Sequence, residues 1–415
     1  MSFKFGNFIK DEIAYESLQQ FLKKFKLPYS FKKEVLFDNI EKELTKESPK
    51  LSEEDIYELI NHEIKYGRRR YLFTSIMNNS DSRKLESDRN IGNAIRELTG
   101  SSTNTYINNL NTYESNTFSK DLINELIIEY LNIKKDGTVI KKIDICFAYF
   151  NEVTIKNKDE SESKVQTKEY VWVEINTNKR YVCVRLHPPK QDIFGTNRSA
   201  IILYNTIIKI INKSFGISEI DVTNFNETLY HIFKDITDVS EKPFRDKIKP
   251  HLDLIEPFIK GVEGSGVFEK ASSHHLFKER VVDLLERVVI QENFSQYLGY
   301  AEDKDGVLNK MQFTDETGAS VNASSGTKEG DTLELSDVFF DTRKTIEKKK
   351  CLDTLWIDWF KIIQHNEEQL PIRISTKFDS STYYYLIHFR RIHLSEEVEK
   401  FVFSKLTNYE GIRWG

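Results

Sequence analysis

Two carboxylates in this 415-residue sequence, Asp144 and Glu174, lie in separate alternating apolar stretches and could together hold a divalent cation. A metal-dependent nuclease of the restriction-endonuclease type needs such a pair on neighbouring strands. It also needs a lysine two residues after the second acid, to stabilise the attack on phosphate. That position is Asn176 here, and Lys179 lies beyond the following turn. A metal-dependent nuclease with a degenerate site is therefore the second reading. Other chemistries have less support. The histidines His274, His275, His365, His388 and His393 lack the i, i+4 spacing beside a Glu that a helical zinc protease uses. The run from Gly261 to Gly266 resembles a phosphate loop but has no Gly-Lys-Ser/Thr ending and follows no strand. No Gly-x-Ser-x-Gly elbow occurs, and Cys146, Cys183 and Cys351 are far apart in sequence. No catalytic residue, metal ligand or cofactor is expected, and the balance leans away from an enzyme.

The remaining signal is cationic and aromatic. Lys65, Tyr66, Arg68, Arg69 and Arg70, followed by Tyr71, form one cluster; Lys179 and Arg180 form a second; Arg390 and Arg391, near Tyr384 and Phe389, form a third. Cations reach phosphates and rings stack on bases, so these nine basic and aromatic positions are the expected nucleic-acid contacts. The bland alternative is that Arg68 to Arg70 cap a helix and Arg390 and Arg391 bridge to nearby acids.

The elements that must position these residues follow from periodicity. Residues 169–187 read as a β-hairpin. With the turn centred on Thr177 and Asn178, Glu174 faces Tyr181 and Trp172 faces Cys183. Val171, Val173, Ile175, Val182, Val184 and Leu186 then share one face, and Tyr170, Trp172, Glu174, Tyr181, Cys183 and Arg185 the other. Residues 1–135 read as a mainly helical domain. Within it a helix after Ser52 carries a capping box with Asp55, a Leu51–Ile56 staple and a stop at Gly67, and a last helix is expected over 120–133. Residues 136–298 read as a β-meander plus helices, with the apolar helix 199–214 covering the apolar face of the sheet. In the segment 299–350 the acids Glu302 to Asp337 outnumber the lysines nine to three, which suggests an exposed insertion or linker. Residues 351–415 read as a C-terminal β-β-α segment.

The fold class is thus α+β: a helical N-terminal region, a central antiparallel β-meander packed by helices, and a C-terminal β-β-α segment. A net charge of −5 argues against nucleic-acid binding by bulk charge, though not by a local patch. Separated cysteines fit a reducing compartment, and the absence of a long apolar run excludes an ordinary membrane-spanning helix, so the expected location is cytoplasmic with no membrane partner. The first functional expectation is a non-catalytic component of a microbial multi-protein assembly that binds DNA or RNA, or a second protein subunit. A role in phage or mobile-element defence is attached to it only because no housekeeping motif is present. A protein-interaction scaffold without nucleic acid is the third reading.

Overall fold

The computed structural model describes residues 3–68, 71–99, 126–157, 161–187, 199–218, 225–267, 271–293, 304–315, 317–325, 333, 336–365, 368–390 and 393–407. The chain divides into two compact units. One comprises residues up to 223 together with 380–407, and the other residues 224–379. Helices α1 (Asn7–Glu12), α2 (Tyr15–Lys24), α3 (Lys33–Leu44) and α4 (Glu53–Lys65) open the first unit. They are followed by β1 (Gly67–Arg68), β2 (Tyr71–Ile76), α5 (Asn79–Leu85) and α6 (Asp88–Thr99). Strands β3 (Leu126–Asp136), β4 (Val139–Lys156), β5 (Glu162–Asn176) and β6 (Tyr181–Leu186) form the expected meander, and α7 (Ala200–Phe215) follows it.

The second unit contains α8 (Phe225–Ile248), α9 (Leu252–Gly264), α10 (Ala271–Glu292), β7 (Gly306–Thr314), β8 (Ser320–Ser324), α11 (Asp337–Lys349), β9 (Thr354–His365) and β10 (Glu368–Ser380). The chain then re-enters the first unit as β11 (Tyr385–Arg390), β12 (His393–Leu394) and α12 (Glu396–Thr407). Strand order is β3-β4-β5-β6-β2-β11 in the first unit, with β1 paired to β12, and β10-β9-β7-β8 in the second. The class is α+β. Among the described residues no helix is long and apolar enough to cross a membrane.

Strand alternation splits the first unit into two cores. Ile143, Ile145, Val171, Val173, Ile175, Val182 and Val184 point one way and pack against Leu203, Ile207 and Ile211 of α7 and Ile91 and Ile95 of α6. Helix α7 thus covers the face its sequence suggested. Cys146, Ala148, Phe150, Tyr170 and Trp172 point the other way, into a core with Ile9, Leu18, Phe37, Ile56, Ile60 and Ile64 of α1–α4. Each fully buried Val or Ile here contributes about 1.5–3 kcal/mol relative to exposure.

Three local expectations are corrected. Residues 126–133, expected to be helical, are strand β3. Leu126, Ile128, Leu131 and Ile133 pack toward one core and Ile127 and Tyr130 toward the other, and a bulge between Ile128 and Tyr130 breaks the strict two-residue alternation that would mark a strand in the sequence. The hairpin register differs by two: Asn176 pairs with Tyr181, Glu174 with Cys183 and Trp172 with Arg185. Four residues, Thr177 to Arg180, form the turn. Arg180 adopts φ +55° and its carbonyl accepts from Met77 N at 2.8 Å, while the Asn176 side chain accepts from Lys179 N at 2.8 Å. Because the shift is an even number, each side chain keeps its face. Finally, within the acidic segment Gly306–Thr314 and Ser320–Ser324 are strands. Val307, Leu308, Met311 and Phe313 of β7 are buried although the charges between them suggest a loop.

Candidate functional site

On the α1–α4 side of the sheet, beyond the apolar residues, the cross-strand neighbours Asp144 of β4 and Glu174 of β5 stand side by side. Helix α4 ends against them. Its start is fixed by the Ser52–Asp55 capping box, in which Ser52 N donates to Asp55 Oδ2 at 2.8 Å and Asp55 N to Ser52 Oγ at 3.2 Å. Leu51 and Ile56 are buried beside that start, and Gly67 at φ +59° stops the helix after Lys65. The buried Glu63 carboxylate accepts from Ala14 N at 3.0 Å and ties α4 to the loop between α1 and α2. So anchored, α4 delivers the Lys65 ammonium between the two acids, 2.9 Å from Asp144 Oδ1 and 2.6 Å from Glu174 Oε2.

The surrounding groups complete a balanced network. Lys142, two residues before Asp144 on the same strand face, lies 3.3 Å from Asp144 Oδ2 and 3.1 Å from Glu174 Oε2. Trp172 Nε1 donates to Asp144 Oδ1 at 2.9 Å and Tyr181 Oη to Glu174 Oε1 at 2.6 Å. Arg185 of β6 approaches Glu174 Oε2 at 3.3 Å and holds Glu399 of α12 in a two-point pair, Nε to Oε2 at 2.9 Å and Nη2 to Oε1 at 2.5 Å. Lys65, Lys142 and Arg185 thus balance Asp144, Glu174 and Glu399. Glu174, 4% exposed, accepts hydrogen bonds from Lys65 and Tyr181 and lies within ion-pair distance of Lys142 and Arg185.

The electrostatics follow from this geometry. Burial opposes the Glu174 charge, yet Arg185, Lys65 and Lys142 together hold its carboxyl well below the usual range. Burial, reinforced by the nearby Arg185, lowers Lys65 against the pull of Glu174 and Asp144. Lys142 resists the same burial and is raised by the two acids. For Glu174 and Lys142 the contacts with opposite charges outweigh burial and favour the charged form. Burial also raises Tyr66 and Tyr181, and it pushes the Cys183 thiol up to about 12. A thiol so raised carries almost no thiolate at neutral pH and is a poor nucleophile.

Above the network lies a cavity of about 390 Å³. Its floor is Lys142, Glu174, Asn176, Tyr181 and Arg185. Helix α12 forms a wall with Glu396, Glu399, Lys400, Phe403 and Ser404, Tyr66 closes one end, and Lys179 stands at the turn. The helix residues recur at i, i+3, i+4, i+7 and i+8, one face of a helix. Ser395 caps that helix, accepting from Val398 N at 3.3 Å.

The nine expected contact residues separate into three groups. Lys65 and Tyr66 are buried in the network, with the Lys65 ammonium 5.5 Å from the Tyr66 ring centroid. Lys179 is exposed beside the cavity, and Arg180 is half-buried in the turn. Arg390 is exposed at the end of β11. Arg68 lies on β1 opposite His393, while its side chain, Arg69, Arg70 and Arg391 fall outside the described residues. Topology nevertheless relates the first and third clusters: Tyr71 pairs with His388 and Arg68 with His393, so the two basic segments belong to paired antiparallel strands. The rings of Tyr71 and His388 sit 4.1 Å apart between them.

Glu174 is buried and paired three ways with cations. Sequence reasoning missed Lys142 and Glu399. The alternation Lys142-Asp144-Cys146 carried the first signal, and the position of Glu399 one residue after Val398 and three before Val402, on the inner side of a helix, carried the second. Among the described residues no group of three or more His, Cys, Asp or Glu side chains is arranged to hold a metal ion. Compared with protein-family models, curated proteins and solved structures, the chain matches none.

Proposed function

We propose that this chain is a non-catalytic nucleic-acid-binding component of a multi-protein assembly. The observation that carries the reading is the pairing of the segments bearing Arg68 and Arg390, with the Tyr71–His388 ring pair between them. Basic residues on β1 and β11, whose ladders with β12 and β2 run through the same two chain segments, have rings beside them and suit phosphate contact and stacking. The Lys65 ammonium supports binding over nuclease chemistry, because it occupies the space between Asp144 and Glu174 that a bridging cation would need. Partner binding draws support from exposed Leu254 and Phe258 of α9 and Leu276, Leu284 and Val288 of α10.

The test is fluorescence anisotropy with labelled duplex DNA and single-stranded RNA over a series of salt concentrations. Changing Arg68, Arg69 and Arg70 together to Ala, and separately Arg390→Ala, should weaken binding, and the slope of log affinity against log salt should fall by about one for each phosphate contact removed. Unchanged affinity and slope in both variants would end the reading.

A further inference from the structure

We propose that the cavity between β4–β6 and α12 is a binding site for a nucleoside phosphate, either a free mononucleotide or the phosphorylated end of a nucleic-acid strand. Only the strand-end source rests on the function proposed above. The groups facing the cavity differ sharply in what they can offer a ligand. Glu174 and Glu399 are buried and occupied by Arg185, Lys65 and Lys142. The reachable charges are Lys142, whose side chain is 21% exposed, together with Lys179, Lys400 and one acid, Glu396. Glu396 is held by Lys400 at 2.9 Å, while Lys179 has no ion pair with a described residue. The reachable lining is therefore cationic although the whole network is neutral.

Ammonium groups are compact point charges that suit the clustered oxygens of a phosphate. They approach from the sheet floor, the hairpin turn and the helix wall. The half-buried rings of Tyr181 and Phe403 supply the apolar surface that a base needs. The volume lies within the range of about 300–1,000 Å³ common for small-ligand sites. The one reachable carboxylate, Glu396, is held by Lys400, so this surface offers no free acid to a polyamine or a bare cation.

The experiment is isothermal titration of the full chain with AMP, CMP, GMP and UMP in turn, with inorganic phosphate, and with a short oligonucleotide with and without a 5′-phosphate. Binding of any mononucleotide, or of the phosphorylated oligonucleotide over the unphosphorylated one, is expected, and these two outcomes assign the source. Lys179→Glu with Lys400→Glu, both exposed and so of small cost to folding, should weaken that binding by about tenfold or more. Phe403→Ala should weaken the nucleotide but leave inorganic phosphate unchanged. Absence of binding by every probe at millimolar concentration overturns the proposal, as does binding that the double charge reversal leaves intact. Binding of inorganic phosphate alone overturns its nucleoside part. None of these outcomes depends on Arg68 or Arg390, so failure of the nucleic-acid edge and failure of this site are read separately.

Discussion

Two buried charge clusters, one in each unit, solve the same problem differently. In the first unit three cations meet three carboxylates contributed by strands β4–β6 and helices α4 and α12, Asp144 and Glu174 are each shared among several donors, and a cavity opens above them. In the second unit Glu241 and Arg245 of α8, Glu286 and Asp283 of α10, and Arg343 and Lys344 of α11 join three helices. With Asp238 and Glu347 at the margin, five acids there meet three bases. Arg245 and Arg343 both contact Glu241 Oε2, and Glu241 Oε1 is buried with no hydrogen-bond partner among the described residues. Burial, against the pull of Arg343, raises the Glu241 carboxyl to about 7. The lesson is that burial alone does not fix the state of an acid. Glu174 and Glu241 are both almost fully enclosed, and the ratio of donors to carboxylates sends one down and the other up.

The comparison can be broken most forcefully at Lys65. Lys65→Met leaves Asp144 and Glu174 buried with one cation fewer, and chemical denaturation should show a loss of about 3–5 kcal/mol in the first unit. A loss under about 1 kcal/mol would mean that the contacts are solvated in solution.

Next in size is the opposed pH dependence. Glu174 has a folded pKa below its ordinary 4.5, so its contribution is present above that value and is lost as pH falls through the acid range. Glu241 has a folded pKa above 4.5, so the native state holds a proton that the unfolded chain has released, and stability falls as pH rises from about 4.5 to about 7. The full swing for Glu241 is about 3 kcal/mol. Hydrogen exchange should therefore show α8, α10 and α11 opening more readily at pH 8 than at pH 5 while β4–β6 do not, and Glu241→Gln should remove that difference. Equal pH response in both units would erase the distinction.

Smaller effects sharpen it. Ser52 caps the helix that delivers Lys65, and Ser336 accepts from Phe339 N at 3.2 Å to cap the helix that delivers Arg343. Each changed to Ala should cost about 1 kcal/mol by thermal unfolding. Lys344, whose side chain is 42% exposed, should cost less than about 1 kcal/mol as Ala.

What was legible in the sequence is uneven for physical reasons. The hairpin faces, the capped α4 and the covering α7 were readable because each depends on local period or a local cap. Strand β3 was not, because a bulge disrupts its alternation and its partner β4 decides its conformation. The polar face of the hairpin showed Glu174 and Arg185, but their meeting with Lys65 spans more than a hundred residues of sequence. No local spacing encodes that convergence. Lys65 illustrates the limit: its neighbours Arg68 to Arg70 made it read as a surface cation, whereas the helix that ends at Gly67 turns it inward. The basic edge was legible as two clusters, and only the pairing of β2 with β11 and β1 with β12 shows that they share one place.

Our proposal that Asp144 and Glu174, bridged by Lys65, serve binding and not metal-dependent cleavage is tested most directly by incubating the pure chain with plasmid DNA and with RNA in the presence of Mg²⁺ or Mn²⁺. The result predicted is intact nucleic acid with both metals. Cleavage that requires the metal and disappears in Glu174→Gln would contradict it.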